Sequence, residues 1–158
     1  FRDAIARLRD AELAEPICRV IADGRPFLGI CLGLQLLFEV SHEDGEHRGL
    51  GVLAGEVVRF EPPAQADGRR LAVPHMGWNR IRWQRDCPLL RSLEAEPYVY
   101  FVHSYYVRPR ADEVTLTTTD YAEEFVSSVW RDNLFATQFH PEKSQHVGLT
   151  MLRNFVAL

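Results

Sequence analysis

The chain has 158 residues, 46% hydrophobic and 25% charged, enough for one domain with a core of its own and too few for two comfortable ones. A net charge of −4 and a pI near 5.9 argue against nucleic acid as the main partner, because phosphate binding needs a basic face. No apolar run approaches membrane-spanning length, no signal-peptide pattern opens the chain, and Cys18, Cys31 and Cys87 fit neither a zinc site nor a disulfide framework, so a cytoplasmic location is expected.

The chain opens on Phe1 and enters an amphipathic helix almost at once. A parallel α/β sheet begins with a strand, so the expectation is that the first βα unit lies upstream and is missing here. Residues Asp3 to Ala14 place Ala4, Ile5, Leu8 and Ala11 on one face, the pattern of a surface helix covering a sheet. Pro16 starts a second helical piece through Ile17, Val20 and Ile21, which stops at Gly24. Phe27, Leu28 and Ile30 form an apolar run of strand length. Leu32, Leu36, Leu37 and Phe38 then recur at helical spacing, predicting a helix to about Val40. Ser41 to Gly49 reads as a polar loop. Glu43 would meet an ammonium group if that loop reached over a bound substrate, and a plain solvated loop fits as well.

From Gly55 the pattern turns to strands: Glu56–Phe60, Arg80–Trp83, Tyr98–His103, Val114–Thr117, Phe125–Trp130 and Leu134–Phe139, the last two joined by a tight Asp132-Asn133 turn. A loop with Pro62, Pro63 and Gly68 covers Glu61 to Arg70. A closing helix spans Ser144 to Leu158, with Val147, Leu149, Leu152, Phe155 and Val156 on or near its buried face. This order, βα units first, a run of antiparallel strands second and a closing helix, suits an α/β fold, a mixed sheet flanked by helices.

At the predicted strand-to-helix junction stands Gly29-Ile30-Cys31-Leu32-Gly33, a G-x-C-x-G pentad. It is the thiol counterpart of the G-x-S-x-G elbow, whose strained turn lifts a nucleophile above the sheet. Small residues two before and two after the cysteine let the backbones approach. A cysteine at a helix start feels free N–H groups and the positive end of the macrodipole, which lower its pKa. The N–H of Leu32 would point toward an oxyanion formed on a carbonyl attacked by Cys31. Taken alone, the pentad fits a small buried cysteine equally well.

Phe139-His140-Pro141-Glu142 falls where the last strand gives way to a loop. Residues i and i+2 of an extended chain share a side, so His140 and Glu142 can act together. A thiol nucleophile needs a base to take and return its proton, and a carboxylate to fix the base's tautomer. Cys31, His140 and Glu142 are a complete set of those types, although His140 by itself also fits an exposed strand-end histidine.

Together, Gly29-Ile30-Cys31-Leu32-Gly33-Leu34-Gln35 and Gln138-Phe139-His140-Pro141-Glu142 resemble the paired signature of the class I glutamine amidotransferases. The resemblance implies that fold, with a mixed, mainly parallel sheet. It implies that Cys31 attacks the side-chain amide of L-glutamine, that His140 serves as acid and base, and that Glu142 orients it. Gly33 and Gln35 match substrate-contacting positions, although a helix-surface glutamine fits the latter, and no metal or organic cofactor enters the chemistry. In this family a P-G-V-G-x-F loop supplies a second oxyanion N–H. Phe1 matches its last residue, so the chain as given is expected to lack half of the oxyanion hole.

A third segment, Pro74-His75-Met76-Gly77-Trp78-Asn79, with Tyr100-Phe101-Val102-His103-Ser104-Tyr105, resembles the glutaminase subunits of imidazole glycerol phosphate synthases. The resemblance implies a heterodimer with a (β/α)₈-barrel cyclase subunit, with Met76, Trp78, Asn79, Tyr100 and Lys143 at the interface. Tyr100 and Trp78 would rim an ammonia passage, and Ser104 and Tyr105 would meet the substrate through their backbones. On residue type alone, the Met76–Asn79 stretch reads equally as a loop packed on its own sheet. Two rival readings are the glutaminase of another synthase (anthranilate, aminodeoxychorismate or carbamoyl phosphate) and a non-catalytic regulatory subunit.

Overall fold

Two short helices, α1 (Arg2–Asp10) and α2 (Ala14–Ala22), precede β1 (Phe27–Ile30) in a computed structural model that describes residues 1–62 and 71–158. Cys31 follows β1 and opens α3 (Leu32–Leu36), after which come β2 (Phe38–Ser41), β3 (His47–Arg48) and β4 (Leu53–Arg59). The strands β5 (His75–Arg80), β6 (Arg82–Trp83), β7 (Tyr98–His103), β8 (Tyr105–Pro109), β9 (Thr115–Tyr121), β10 (Glu123–Arg131) and β11 (Leu134–Thr137) lead to a 3₁₀ turn at Pro141–Lys143 and to α4 (Gln145–Val156). Most of the loop expected over Glu61 to Arg70, with Pro63 and Gly68, lies outside the described residues.

The sheet is mixed, as expected, with the order β1-β11-β10-β8-β4-β2-β3, β9 pairing with both β10 and β6. It is not mainly parallel. Among the described pairings only β1 with β11 and β2 with β4 run parallel. The strands β9, β10 and β11 follow one another through tight turns, which permit only antiparallel neighbours. Strands β5 and β7 form a separate antiparallel pair. The Met76–Asn79 stretch is therefore strand, not loop.

The expected helix to Val40 also stops short. Leu34, Leu36, Leu37 and Phe38 are all buried, so there is no polar face for a surface helix, and Phe38 pairs with Leu53 as the first residue of β2. On α4 the buried residues are Gly148 and Met151, while Leu149 and Val156 are exposed. The helix starts one residue later than predicted and is rotated toward Gly148. A Cβ there would lie 1.8 Å from the carbonyl oxygen of Pro141, so only glycine admits the 3₁₀ turn this close.

Two apolar clusters build the core. One gathers Ile21, Leu34, Leu37, Phe38, Val57, Val107 and Leu134 beneath α2 and α3. The other joins Phe60, Phe101, Phe125, Phe135, Phe139 and Met151 beneath α4. The Asp132-Asn133 turn is present, and the Asn133 side chain donates to the carbonyls of Ile21 (2.9 Å) and Arg25 (2.7 Å), tying the end of α2 to β11. The central β1–β11 ladder runs from Phe27 opposite Leu134 to Ile30 opposite Thr137.

Candidate active site

Cys31 sits where β1 ends and α3 begins, with φ 52° and ψ −106°. A residue with a side chain held there costs on the order of 1–3 kcal/mol, strain that a nucleophile elbow stores. Its own N–H donates to the Thr137 carbonyl at 2.7 Å, continuing the parallel ladder by one step. Gly29 explains half of the pentad: a Cβ there would come within 3.0 Å of the Gly33 backbone and 3.2 Å of Ala136. Gly33 is different, because a Cβ there would meet nothing within 4 Å. Its smallness serves no close backbone approach.

The thiol is half-buried, and burial pushes its pKa up, contrary to the expected lowering by a helix macrodipole. With five residues, α3 has too few aligned peptides for a large dipole. The Leu32 N–H and then the Gln138 amide pull the value back down. The Glu142 charge adds to the rise, and Lys143 opposes it. At rest the sulfur is therefore a thiol, and a base must remove its proton before attack.

That base follows the neighbouring strand. β11 leaves the sheet beside β1, and His140 follows three residues later. Its Nδ1 lies 2.6 Å from Glu142 Oε1, which leaves Nε2 as the working nitrogen. The His140 N–H donates to the Tyr100 carbonyl at 2.9 Å, and Ser144 Oγ donates to the His140 carbonyl at 2.7 Å while accepting from the Tyr100 N–H at 2.9 Å. The His140 backbone is thus held on both its N–H and its carbonyl, and its ring by the Glu142 carboxylate.

Gln35 is neither a helix-surface residue nor freely open to a substrate. It is buried, and its Nε2 donates to the Tyr105 carbonyl (3.0 Å) and to Gln138 Oε1 (3.1 Å). Tyr105's carbonyl also accepts from His103 Nδ1 at 2.8 Å, and the Ser104 carbonyl accepts from the Phe60 N–H at 3.0 Å. Both lone pairs of Tyr105 are therefore engaged internally, leaving its carbonyl nothing to offer a ligand. Glu43 is half-buried, and its charge, with that of Asp44, adds to the burial that raises the Tyr105 hydroxyl pKa.

The β5–β7 hairpin alternates cleanly. Met76, Trp78 and Tyr98 are exposed, with Trp78 and Tyr100 packed edge to face at 5.9 Å. Lys143 is exposed at the nearby 3₁₀ turn. A cavity of about 760 Å³ runs from Trp78, Arg80 and Tyr98 to Ser144 and Val147. Asn79 departs from the expected set. It faces inward, and its Nδ2 donates to the Asp120 carbonyl (2.9 Å) and approaches His75 Nε2 (3.3 Å).

Three residues with no expected role join the site. His75 and His103 are buried, with His75 Nδ1 3.0 Å from His103 Nε2. Burial lowers their pKa values to about 4 and about 3 respectively, the second partly offset by the bond to Tyr105. Gln138 is fully buried, and its Nε2 lies 3.7 Å from the Cys31 sulfur. Strand alternation places His75 and Asn79 on the inner side with Gly77, a signal present in the sequence.

The glutamine amidotransferase class-I family model matches residues 7–158. The imidazole glycerol phosphate synthase subunit HisH of Syntrophotalea carbinolica is 55% identical over 155 residues, covering 98% of this chain and 75% of that protein. The Salinibacter ruber HisH is 55% identical over 159 residues, covering 100% of this chain and 72% of its own length. Among solved structures, a glutamine amidotransferase superposes with a TM-score of 0.65 at 20% identity, over 95% of this chain and 69% of its own. A Thermotoga maritima glutamine amidotransferase gives 0.60 at 18% identity, over 91% and 52%. At those identities the likeness shows the fold.

Proposed function

The chain belongs to the glutamine amidotransferase class-I family, and from that premise we propose that it is the glutaminase subunit of an imidazole glycerol phosphate synthase. Its reaction is the hydrolysis of L-glutamine to glutamate and ammonia. His140 Nε2 takes the thiol proton of Cys31, and the sulfur adds to the side-chain amide carbon. The developing oxyanion takes the Leu32 N–H, which already faces the sulfur. Return of the proton from His140 to nitrogen releases ammonia and leaves a γ-glutamyl thioester. Water, deprotonated by the same imidazole, then frees glutamate and restores the thiol.

The observation that carries this reading is the pairing of His140 Nδ1 with Glu142 at 2.6 Å just beyond β11, the strand to whose last residue, Thr137, the strained Cys31 turn is hydrogen-bonded. The HisH relatives direct it to histidine biosynthesis. Ammonia passes to a (β/α)₈-barrel cyclase, which converts PRFAR to imidazole glycerol phosphate and AICAR. The exposed Met76, Trp78 and Tyr98 supply the aromatic and sulfur-bearing surface that a heterodimer interface favours, and Lys143 supplies a charge for an acidic partner residue. Glutamate release by the protein with cyclase and PRFAR tests the reading. It should be lost in Cys31→Ala, and an undiminished rate in that variant overturns it.

A further inference from the structure

Seven groups between β5 and the nucleophile are joined by hydrogen bonds whose directions can all be deduced. The Tyr105 carbonyl can only accept, so the proton on His103 sits at Nδ1 (2.8 Å). A neutral His103 then has a bare Nε2, so His75 must donate to it from Nδ1 (3.0 Å). His75 Nε2 is bare in turn and takes an N–H from Asn79 (3.3 Å). The Asn79 amide cannot flip, because its oxygen accepts the Arg80 N–H at 2.8 Å while its nitrogen serves the Asp120 carbonyl. From the other side Gln35 gives one N–H to Tyr105 and one to Gln138 Oε1. Gln138 is therefore held with its oxygen toward Gln35 and its N–H toward the Cys31 sulfur at 3.7 Å. No link runs in a contradictory sense, and each buried polar atom named finds a partner of the right kind.

We propose that Gln138 is a positioning residue that donates a hydrogen bond to the nucleophilic sulfur, its amide held in the donating orientation by a relay in which Gln35 donates both to Gln138 and to the Tyr105 carbonyl, which two neutral Nδ1–H histidines hold from its other side. The inference rests on the reading of Cys31 as nucleophile and adds what holds the sulfur. A donor aimed at sulfur favours thiolate over thiol, so Gln138 offsets part of the burial of Cys31 without carrying charge itself. It needs no contact with glutamine.

The test reads the sulfur without substrate. Peptide-resolved alkylation of Cys31 by iodoacetamide, followed against pH in the intact protein, gives the thiol's apparent pKa. Gln138→Met keeps length and loses the donor. It should raise that pKa by about one unit, roughly a tenfold loss of thiolate at neutral pH, with the alkylation rate of Cys18 unchanged. An unshifted Cys31 pKa in a variant whose histidine spectra match the parent overturns the proposal. The second measurement needs no variant. Nitrogen-15 spectra of the parent should show both His75 and His103 protonated at Nδ1 and neutral at pH 7, and a proton on Nε2 of either ring overturns the relay. A shifted pKa together with no glutamine hydrolysis would sink the glutaminase reading and leave the relay standing.

Discussion

The backbone N–H of His140 donates to the carbonyl of Tyr100 at 2.9 Å, so the imidazole and the exposed hairpin share a peptide-to-peptide link. Ser144 closes the same bridge from the other side, accepting from Tyr100 and donating to the His140 carbonyl. Ser144→Ala leaves the Tyr100 N–H buried without its acceptor, which costs roughly 1–3 kcal/mol. Thermal unfolding should show that loss, and kcat for glutamine should fall with it because the imidazole loses its backbone anchor.

Glu142→Gln keeps the size of the side chain and removes the charge that holds His140 Nδ1–H. Glutamine turnover should drop by roughly 10²–10⁴-fold, the range that general acid-base groups supply, while the melting temperature stays within a few degrees. Steady-state glutamate release and calorimetry on one preparation check both halves.

Two glycines should separate folding from catalysis. Gly148→Ala drives a Cβ to within 1.8 Å of the Pro141 carbonyl oxygen, and it should destabilise the protein by roughly 1–3 kcal/mol or more while displacing the His140–Glu142 turn. Gly33→Ala meets nothing within 4 Å. Its melting temperature should hardly move, and its KM for glutamine should rise because a methyl is added at the position expected to contact the substrate.

Acid should unfold the protein through its buried histidines. His75 and His103 titrate at about 4 and about 3 in the fold, lowered chiefly by burial, against 6.5 when unfolded. Between those limits the unfolded chain binds more protons than the native one, so stability is complete above about pH 6.5 and declines as pH falls toward 3. Urea midpoints across that range should show the decline. In a His75→Gln, His103→Gln variant the slope should flatten, with a lower midpoint at pH 7.

The pentad and the His-Pro-Glu step were legible because their chemistry is local: a turn and an i, i+2 pair. The strand fate of Phe38 was not, because Leu34 to Phe38 is buried on every side, and an unbroken apolar run fits helix and strand alike. The antiparallel centre of the sheet was legible in the run of strands after Gly55, and the mainly parallel sheet came with the family resemblance, which the pairings of β8, β9, β10 and β11 do not bear out. Gln138 passed as motif filler. Its contact with Cys31 spans 107 positions, and no periodicity reports such a pair. Asn79 could have been placed, since every second residue from His75 turns inward.

The β1–β11 ladder sets when the site can exist. Phe27 pairs with Leu134, and closing so large a loop is a slow, late event in folding. As the chain leaves the ribosome, Cys31 emerges long before His140 does, so no imidazole stands by to take its proton. A newborn chain therefore carries the nucleophile without its base, and the two meet only when the last strand docks.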